Sequence, residues 1–363
     1  MAKANPPSYF LAPGPRRKRL GYWVLAGLTQ LALAAILLAL YLARRPTDMD
    51  LLGFLVLLGP RFAFLLPFLL LVPWAIRRRA HWLLAEQLLG IALCCGPLMG
   101  LNWAGLVGPK AAPAVDEANT IRILSYNIGP NGFQVDRLVD YLNQQKIEIL
   151  VVQEDTDIWK LKARLAADKG WYWNRYGTIF SRLPIVSESN ELPDEAGGDK
   201  LYAGHLTLAR VRRGSLDFIV GSAHGPSLRG AFYKLVKDMD LAELRKALDW
   251  QKRQLARIAL MMDQNEARPL VVGGDFNVPP GSVYADPLEK RFQDVYATLG
   301  TGWGYTFPTR LPWLRLDKFY LSRGWQPRQC RVAPNFGSDH RPLFTEIQLL
   351  ETAAPEKPAA PAE

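Results

Sequence analysis

Cysteine is scarce in this sequence of 363 residues. Cys94 and Cys95 are adjacent inside an apolar run, and the third cysteine, Cys330, stands alone near the C-terminal end. This spacing excludes a zinc-binding cysteine pattern, a Cys-x-x-Cys redox motif and a disulfide framework. It is compatible with an oxidising or a reducing compartment, because a domain with a single cysteine has no internal disulfide to form or lose.

Acidic residues are scarce in the N-terminal part of the chain. Residues 1–110 contain 12 of the 44 Lys and Arg but only three of the 34 Asp and Glu, which leaves 32 basic and 31 acidic residues in the remainder. The net charge of +10 is therefore +9 in this part and +1 elsewhere. A basic excess beside apolar runs is typical of a membrane-orientation signal, and it is not evidence for a nucleic-acid partner.

Charge is missing altogether from two long apolar runs in the same part. Residues 20–43 form an uncharged run of 24 residues and residues 87–109 one of 23 residues. At about 1.5 Å per residue, each run is long enough to span a membrane. The first exceeds the apolar part of a cleaved signal peptide, so we predict an uncleaved anchor. Residues 51–76 are also apolar but contain Pro60, Arg61 and Pro67, which predicts either a kinked span or a re-entrant hairpin.

The distribution of Lys and Arg around these runs predicts an orientation in the cell (inner) membrane. If all three segments cross, one side of the membrane receives eight basic residues and the other receives three; the latter are Arg44, Arg45 and Lys110. The positive-inside rule then places the N-terminus in the cytoplasm, and three crossings place the C-terminal domain outside it. A re-entrant middle segment would instead place that domain in the cytoplasm.

Composition divides the chain into five predicted parts. They are a basic cytoplasmic N-terminus (1–19), a membrane domain of about three helices (20–109), a linker (110–119), one large domain (120–350) and a low-complexity tail (351–363). Disorder is predicted for the tail from its Ala and Pro content. The large domain is long enough to bury a full hydrophobic core without disulfide or metal cross-links.

Within residues 120–350, a series of apolar runs typical of strands ends in polar residues. Helices are predicted over 133–145 and 232–266. Because strand ends in α/β proteins converge on one rim, where sites tend to form, we expect the polar residues to lie together. Each residue alone has an ordinary structural explanation, as a turn cap or a structural histidine. The set comprises Asn127, Glu154, His224, Asp275, Asn277, Asp317, Asp339 and His340.

The order of these motifs resembles the endonuclease/exonuclease/phosphatase superfamily over about residues 120–350. The most specific pieces are Gly274-Asp275-Phe-Asn277 and Ser338-Asp339-His340-Arg-Pro, about 60 residues apart; either alone would be a weak signal. The resemblance implies an α/β fold, the four-layer α/β/β/α sandwich of deoxyribonuclease I, here preceded by an all-α transmembrane segment. The apolar N-terminal part resembles that of a membrane-tethered bacterial branch of the superfamily.

The resemblance implies a Mg²⁺ or Mn²⁺ ion as cofactor. Glu154 would be its main ligand, Asn127 would support it, and Asp339 would be a second ligand. A hard cation held by one or two carboxylates, with water and substrate phosphate completing the coordination, suits so sparse a ligand set.

The resemblance also implies roles for five catalytic residues. Asp275 would orient or deprotonate the attacking water, and Asn277 would hydrogen-bond a phosphate oxygen. His340 would contact the phosphate while Asp317 fixes its tautomer and favours its charged form. His224 would lie near the scissile phosphate. No covalent nucleophile is implied, so hydrolysis by direct attack of water is expected.

The substrate class remains open in the sequence. Gly129 occupies a position where nuclease members often have an acidic residue and sphingomyelinase members often an aromatic one, so it favours neither. Arg182 could contact phosphate, although a turn residue in a surface ion pair is the favoured interpretation. Of the loop tryptophans, Trp313 lies near Arg315 and would suit a lipid surface or base stacking equally.

The sequence is compatible with three functions. The leading hypothesis is a membrane-anchored, Mg²⁺-dependent phosphodiesterase or phosphatase, with the lipid bilayer as partner and a lipid head group or small phosphoester as substrate. A nuclease acting on DNA or RNA is the alternative, weakened by the near-neutral domain because phosphate contacts dominate nucleic-acid affinity. A non-catalytic phosphate-binding or scaffold protein would have lost site residues, and none is missing; only Arg61, a charge in the middle apolar segment, favours this third reading.

Overall fold

The computed structural model describes residues 16–44, 51–107, 116–129, 132–154, 157–191 and 205–350. The chain forms two compact units, one of residues 1–41 and 61–99 and the other of residues 42–60 and 100–363. The stretches of the predicted parts that lie outside the described residues include 1–15 of the basic N-terminus, 110–115 of the linker and the tail from 351. The predicted domain bounds remain a prediction.

Helices in the N-terminal third are mostly apolar. They are α1 (Arg16–Ala43), α2 (Leu51–Leu58), α3 (Phe68–Arg78) and α4 (His81–Leu93), with a 3₁₀ turn over Arg61–Leu65 and a π-helical turn over Cys94–Leu98. Two segments, Leu20–Ala43 and His81–Leu98, are long and apolar enough to span a membrane. The middle segment is broken and sharply bent at residues 59–60, so it is a third candidate only as a broken span or a re-entrant loop.

Polar contacts align the helices of the first unit. The buried Gln87 side chain donates to Thr29 Oγ1 at 2.9 Å and joins α4 to α1. Arg61, just before α3, donates to the carbonyl of Leu98 at 2.8 Å. The second contact places the 3₁₀ turn that begins at Arg61 beside the π-helical turn that follows α4. Arg61 therefore has a structural partner, which accounts for the one charge that suggested a scaffold role.

The second candidate span differs in its bounds from the prediction, which began at residue 87. The helix begins at His81, and the carboxylate of Glu86 within it accepts a hydrogen bond of 2.7 Å from Gln30 of α1. It ends at Leu98 and not at residue 109. Asn102 forms a β-bridge with Gly302 in the second unit, so the last part of the predicted run is not helical across its length.

Two six-stranded sheets form the centre of the second unit. Sheet I has the order β11-β12-β1-β2-β4-β3 and sheet II the order β5-β6-β7-β8-β10-β9. The strands are β1 (Thr120–Asn127), β2 (Ile149–Gln153), β3 (Tyr172–Trp173), β4 (Ile179–Ser181), β5 (Ile185–Glu191), β6 (His205–Arg213), β7 (Leu216–His224), β8 (Leu270–Asp275), β9 (Gln293–Asp294), β10 (Asp317–Leu321), β11 (Trp325–Val332) and β12 (Leu343–Leu349).

Helices lie on both outer faces of the sheets, and one short helix packs Val295 and Tyr296 into the core between them. They are α5 (Ala104–Val107), α6 (Val135–Gln144), α7 (Ile158–Asp168), α8 (Arg229–Asp238), α9 (Leu241–Gln264), α10 (Asp286–Glu289) and α11 (Val295–Leu299). One apolar core lies between the sheets, a second joins α6 and α7 to sheet I, and a third joins α8 and α9 to sheet II. Strand residues alternate between these cores because successive side chains point to opposite faces. The predicted α/β/β/α sandwich is confirmed.

The helix predicted over 232–266 is wrong as a single element. α8 ends at Asp238, Met239 follows it with a φ of +55°, and α9 begins after Asp240. The Asp240 carboxylate accepts a hydrogen bond of 2.9 Å from the backbone N–H of Glu243 and caps α9. An Asp followed three residues later by Glu is a recognisable helix start, and it was overlooked within the long amphipathic pattern.

Half of the middle apolar segment packs within the second unit. Phe54 of α2 is buried in the same core as Leu228 and Leu235, at the start and within α8. Its ring lies 6.0 Å from that of Phe232. The indole N–H of Trp313 donates to the carbonyl of Leu58 at 3.0 Å, which gives this loop tryptophan a structural contact.

A buried ion pair links the loop before β10 to α11. Arg315 donates two hydrogen bonds to Asp294, of 3.0 and 2.8 Å, and both side chains are under 10% exposed. Burial alone would lower the pKa of Arg315, but the charge and hydrogen bonds of Asp294 raise it. Arg315 is therefore part of the scaffold and does not contribute to a lipid-binding or base-stacking surface.

Replacing Asp294 by asparagine is expected to lower the free energy of unfolding by about 3 kcal/mol. Asparagine retains an oxygen that can cap α11, but it leaves the Arg315 cation buried without an opposite charge. Urea unfolding of the full chain in detergent, followed by tryptophan fluorescence, measures the change. Asp286→Asn, in the exposed ion pair with Lys290, is the control and should cost less than about 1 kcal/mol. Equal losses would contradict the prediction.

Candidate active site

Strand register brings the predicted site residues to one end of the two sheets. His224 is paired with Asp275 across the parallel strands β7 and β8, and Asp317 is paired with Asp275 across the antiparallel strands β8 and β10. In sheet I, Asn127 ends β1 beside the end of the parallel strand β2, which Glu154 follows. Polar residues are tolerated here because the apolar runs that precede them fill the cores.

Asp275 lies at the centre of this group and is 1% exposed. Its Oδ2 accepts a hydrogen bond of 3.1 Å from the Asn127 side chain, which joins sheet II to sheet I. The same oxygen lies 3.6 Å from His340 Nε2 and 3.9 Å from His224 Nε2. Its Oδ1 accepts from the backbone N–H of Asn277 at 2.9 Å. Asp275 is thus a fixed carboxylate with two imidazoles in reach.

His340 is held in one orientation by Asp317. His340 Nδ1 lies 2.9 Å from Asp317 Oδ2, both side chains are buried, and the Phe307 ring packs 4.7 Å from the imidazole. Burial alone would lower the pKa of His340, but the charges of Asp317 and Asp275 outweigh it and raise that pKa to about 9. The imidazole is therefore cationic at neutral pH, with Nε2 directed toward Asp275.

Close backbone approach explains the glycine in the Gly-Asp-Phe-Asn motif. A side chain at Gly274 would collide with the backbone of Ala223 in the neighbouring strand. Asn277, two residues after Asp275 in the sequence, has a φ of +52°, a conformation uncommon outside glycine. Its side chain donates to the carbonyl of Gly225 at 2.9 Å. The loop after β8 is thereby fastened to the loop after β7, beside His224.

Of the predicted metal ligands, Asn127 ends β1, Asp339 lies in a turn bound to the end of this strand, and Glu154 directly follows the neighbouring strand β2. Ser338 Oγ donates to the carbonyl of Asn127 at 2.8 Å, which holds the Ser338-Asp339 turn against β1. Glu154 is half-buried and has a φ of +62°. Strained backbone at a residue with a carboxylate side chain is a feature that clusters at functional sites.

Gly129 creates the space at this position. Its φ is +64°, and a Cβ there would lie 2.8 Å from both Asp339 Oδ1 and Ser338 Oγ. A side chain at this position would therefore require the side chains of Asp339 and Ser338 to move. Asn127, Glu154 and Asp339 offer oxygen donors of the kind that a hard cation such as Mg²⁺ prefers.

A second group could hold a metal by distance alone. Ligand atoms of Asp275, Asp317 and His340 lie within 4.8 Å of one another. Asp317 Oδ1 is buried without a hydrogen-bond partner among the described residues. However, His340 Nδ1 lies 2.9 Å from Asp317 Oδ2, and both oxygens of Asp275 accept hydrogen bonds within the protein. We therefore interpret this group as a proton-handling and charge-stabilising set.

Sequence reasoning missed Arg229, at the start of α8. Its guanidinium donates to Asp339 Oδ2 at 2.9 Å and lies 5.6 Å from the Phe307 ring. The side chain is 59% exposed, so it also faces solvent beside the site. A possible signal was its position five residues after His224, but a single arginine in a loop carries little information without the fold.

Two other predictions receive a plain structural answer. Arg182 donates to Asp168 at 2.9 Å and to Asn143 at 2.6 Å, and its guanidinium lies 4.6 Å from the Trp171 ring. The surface ion-pair interpretation of Arg182 is confirmed. Cys330 is buried, and burial raises the pKa of its thiol, so it is not a nucleophile.

The sequence was compared with models of known protein families, and one of them matches the part of the chain that contains this site. The model of the endonuclease/exonuclease/phosphatase family matches residues 124–340, more than half of the chain. The chain belongs to this family. Its members are named for phosphoester hydrolysis, and the matched residues include all eight predicted site positions, from Asn127 to His340. No curated relative matches the sequence.

Solved structures of the endonuclease/exonuclease/phosphatase family share the fold of this chain. A family protein from Bacteroides thetaiotaomicron is 16% identical with a TM-score of 0.50, and the alignment covers 64% of this chain and 98% of that one. D. rerio TDP2, humanized by 14 mutations, is 15% identical with a TM-score of 0.50, and the alignment covers 63% of this chain and 99% of that one. At these identities the likeness establishes the fold alone.

Proposed function

We propose that the protein is a membrane-anchored, Mg²⁺-dependent phosphoester hydrolase that acts by direct attack of an activated water. The observation that carries this proposal is the placement of Asp275. This buried carboxylate lies between the Asn127 amide and the His340 imidazole, and the latter is fixed and charged by Asp317. Family membership supports hydrolysis of phosphate esters as the reaction class.

Each side chain has a role that its contacts support. Asp275 orients the attacking water and takes its proton, because two hydrogen bonds fix the carboxylate. The cationic His340 stabilises the negative charge that develops on the phosphoryl oxygens. His224, a quarter exposed, approaches from the solvent side of Asp275, and Asn277 hydrogen-bonds a phosphate oxygen.

Asn127, Glu154 and Asp339 are the residues we propose to hold the metal ion, Mg²⁺ or Mn²⁺. When bound, the ion would neutralise charge on the phosphate group. Arg229 donates a hydrogen bond to Asp339 and so competes with the metal ion for this carboxylate. When Arg229 binds a phosphate oxygen of the substrate instead, Asp339 becomes free to bind the metal. The substrate is proposed to be a lipid head group or a small phosphoester, given the nearly neutral charge of residues 111–363.

The packing of α2 supports a location of the catalytic unit outside the cytoplasm. If α1 crosses the membrane, α2 lies on the side opposite the N-terminus. Because α2 packs in the core of the catalytic unit, that unit is on the same side. The chain from the end of α2 to residue 100, where this unit resumes, must then cross the membrane twice or not at all. Residues 61–78 can provide the first of two crossings, since 18 residues of helix extend about 27 Å.

Glu154→Gln is expected to remove Mg²⁺-dependent turnover and leave the fold intact. The ligand charge is lost, while the side chain keeps its size at a partly exposed position after β2. The full chain in detergent is assayed with bis-p-nitrophenyl phosphate, p-nitrophenyl phosphate, plasmid DNA, sphingomyelin and an inositol phosphate, each with Mg²⁺ and with EDTA. Glu148→Gln, at the opposite end of the same chain segment and paired with Arg213, is the control.

Three outcomes of that assay are informative. The proposal is supported if the parent protein and Glu148→Gln cleave a substrate only with Mg²⁺ and Glu154→Gln does not cleave it. The substrate that is cleaved then identifies the ester class. Cleavage of plasmid DNA alone would favour the nuclease alternative. Unchanged turnover in Glu154→Gln would exclude this residue as the main ligand.

An alkaline phosphatase fusion after Pro109 is expected to be active, because this reporter folds only outside the cytoplasm. The prediction follows from the three crossings and from eight basic residues on the N-terminal side against three on the other. A fusion after Arg79 is the control and should be inactive. The reverse pattern would place the catalytic unit in the cytoplasm.

A further inference from the structure

Helix α8 presents apolar side chains to solvent on the face opposite its core contacts. Ala231 and Leu235 pack inward, whereas Phe232, Val236 and Met239 point outward. Val236 is 66% exposed and Met239, which directly follows the helix, is 72% exposed. The outward residues are spaced by three or four, so they form one stripe along the helix. Phe232 of this second apolar stripe packs against α2, and the rest of the stripe faces solvent in the described residues.

Helix α2 extends this apolar surface. Phe54 of α2 is buried beside Phe232, while Leu52 and Leu55 on the same helix are 57% and 44% exposed. All eight residues of α2 are apolar. We refer to the outward side chains of both helices as the α2–α8 surface: Leu52, Leu55, Phe232, Tyr233, Val236 and Met239.

Helix α2 is connected through the chain to candidate membrane-spanning segments at both of its ends. Leu51 follows Ala43, the end of the first candidate span, by eight residues, a reach of at most about 28 Å. At its other end α2 is followed within three residues by Arg61, which is part of the unit that contains both candidate spans. Both ends of α2 are thus tethered to the membrane unit, so the bilayer surface is the apolar phase within reach.

The side chains at the edge of the stripe suit a lipid surface. Lys237 lies beside the half-exposed Tyr233, with its ammonium 5.8 Å from the ring. Tyrosine and lysine next to an apolar face are typical of helices that lie in the membrane interface, where aliphatic groups enter the lipid and polar tips remain hydrated.

Arg229 connects the stripe to the site. It lies on the same face as Phe232, Tyr233 and Val236 by helical spacing, and its guanidinium binds Asp339. We propose that the α2–α8 surface docks the catalytic unit on the lipid bilayer and opens the site toward phosphoesters at the bilayer surface. This inference rests on the proposed function for its substrate class, but docking itself requires no turnover.

Photolabelling of the full chain tests the docking. The protein is reconstituted in nanodiscs of phosphatidylethanolamine and phosphatidylglycerol that contain a phosphatidylcholine with a diazirine on its acyl chain. After illumination, labelled peptides are mapped by mass spectrometry. Residues 229–241 are expected to be labelled at least about tenfold more than residues 158–168 of α7, because an interfacial helix inserts its apolar face into the acyl region. Trp159 of α7 is 65% exposed and provides the matched comparison.

A double variant, Val236→Glu with Met239→Glu, should reduce labelling of residues 229–241 at least about fivefold and leave labelling of α1 unchanged. Trp159→Glu should change neither. Val236 and Met239 are both exposed, so replacing them does not disturb the core. Labelling of 229–241 no stronger than that of α7 would overturn the proposal.

The two proposals fail in different ways. A protein labelled at α8 that hydrolyses no substrate would contradict the proposed function and leave the docking intact. A protein that hydrolyses phosphoesters in Mg²⁺ but carries no label at α8 would contradict the docking alone.

Discussion

Replacing His340 by alanine is expected to lower turnover about a thousandfold, because a preorganised positive group next to the reacting phosphate is lost. The imidazole is buried, cationic and fixed by Asp317, so it needs no reorganisation to stabilise negative charge. Turnover is measured on the substrate found in the Mg²⁺ assay, with circular dichroism to verify the fold. Because alanine leaves the Asp317 carboxylate buried without its partner, His340→Gln is tested in parallel.

A double-mutant cycle separates the role of His340 from that of Asp317. Asp317 does not need to touch the substrate; it orients and charges the imidazole, so Asp317→Asn should cost about a hundredfold in turnover. The double variant should be no slower than His340→Ala, since residues that act as a unit give non-additive losses. Losses that multiply would show that Asp317 acts independently, for example as a metal ligand. A loss of less than tenfold in His340→Ala would exclude it from the catalytic group.

The sequence could predict the site because its signals are local. Each strand end combines an apolar run with one polar residue, and the parallel pairs β1–β2 and β7–β8 necessarily bring such ends together. Asn127, His224 and Asp275 were found in this way and lie in contact or nearly so. Glu154 and Asp339 are positioned at the same end by register and by the Ser338 turn.

Other features depend on long-range packing and could not be predicted. An apolar segment such as residues 51–58 looks the same whether it is buried in lipid or against α8, because periodicity does not name the partner. Arg229 and Arg315 are both basic residues in or beside loops, yet one is at the site and the other is buried against Asp294. Only the fold distinguishes these two environments.

Replacing Asp275 by asparagine is expected to cause the largest loss, about three to four powers of ten in turnover. Asparagine has nearly the same shape, but its single oxygen can accept only one of the two hydrogen bonds, from Asn127 or from the backbone of Asn277, and it cannot take a proton from water. It also removes the negative charge that faces His224 and His340. Turnover and substrate KM are measured separately. The loss is expected in kcat, because the carboxylate acts on the water and not on substrate binding.

Asp217→Asn provides the control at the opposite end of the same sheet. Asp217 lies near the start of β7 and pairs with Arg212, while Asp275 ends the neighbouring strand. A similar loss in both variants would indicate that sheet II has been disturbed and that Asp275 has no special role. A large loss in Asp275→Asn alone, with KM unchanged within about threefold, identifies the general base. If activity in that variant returned with a stronger nucleophile such as hydroxylamine in place of water, the missing step would be activation of the nucleophile.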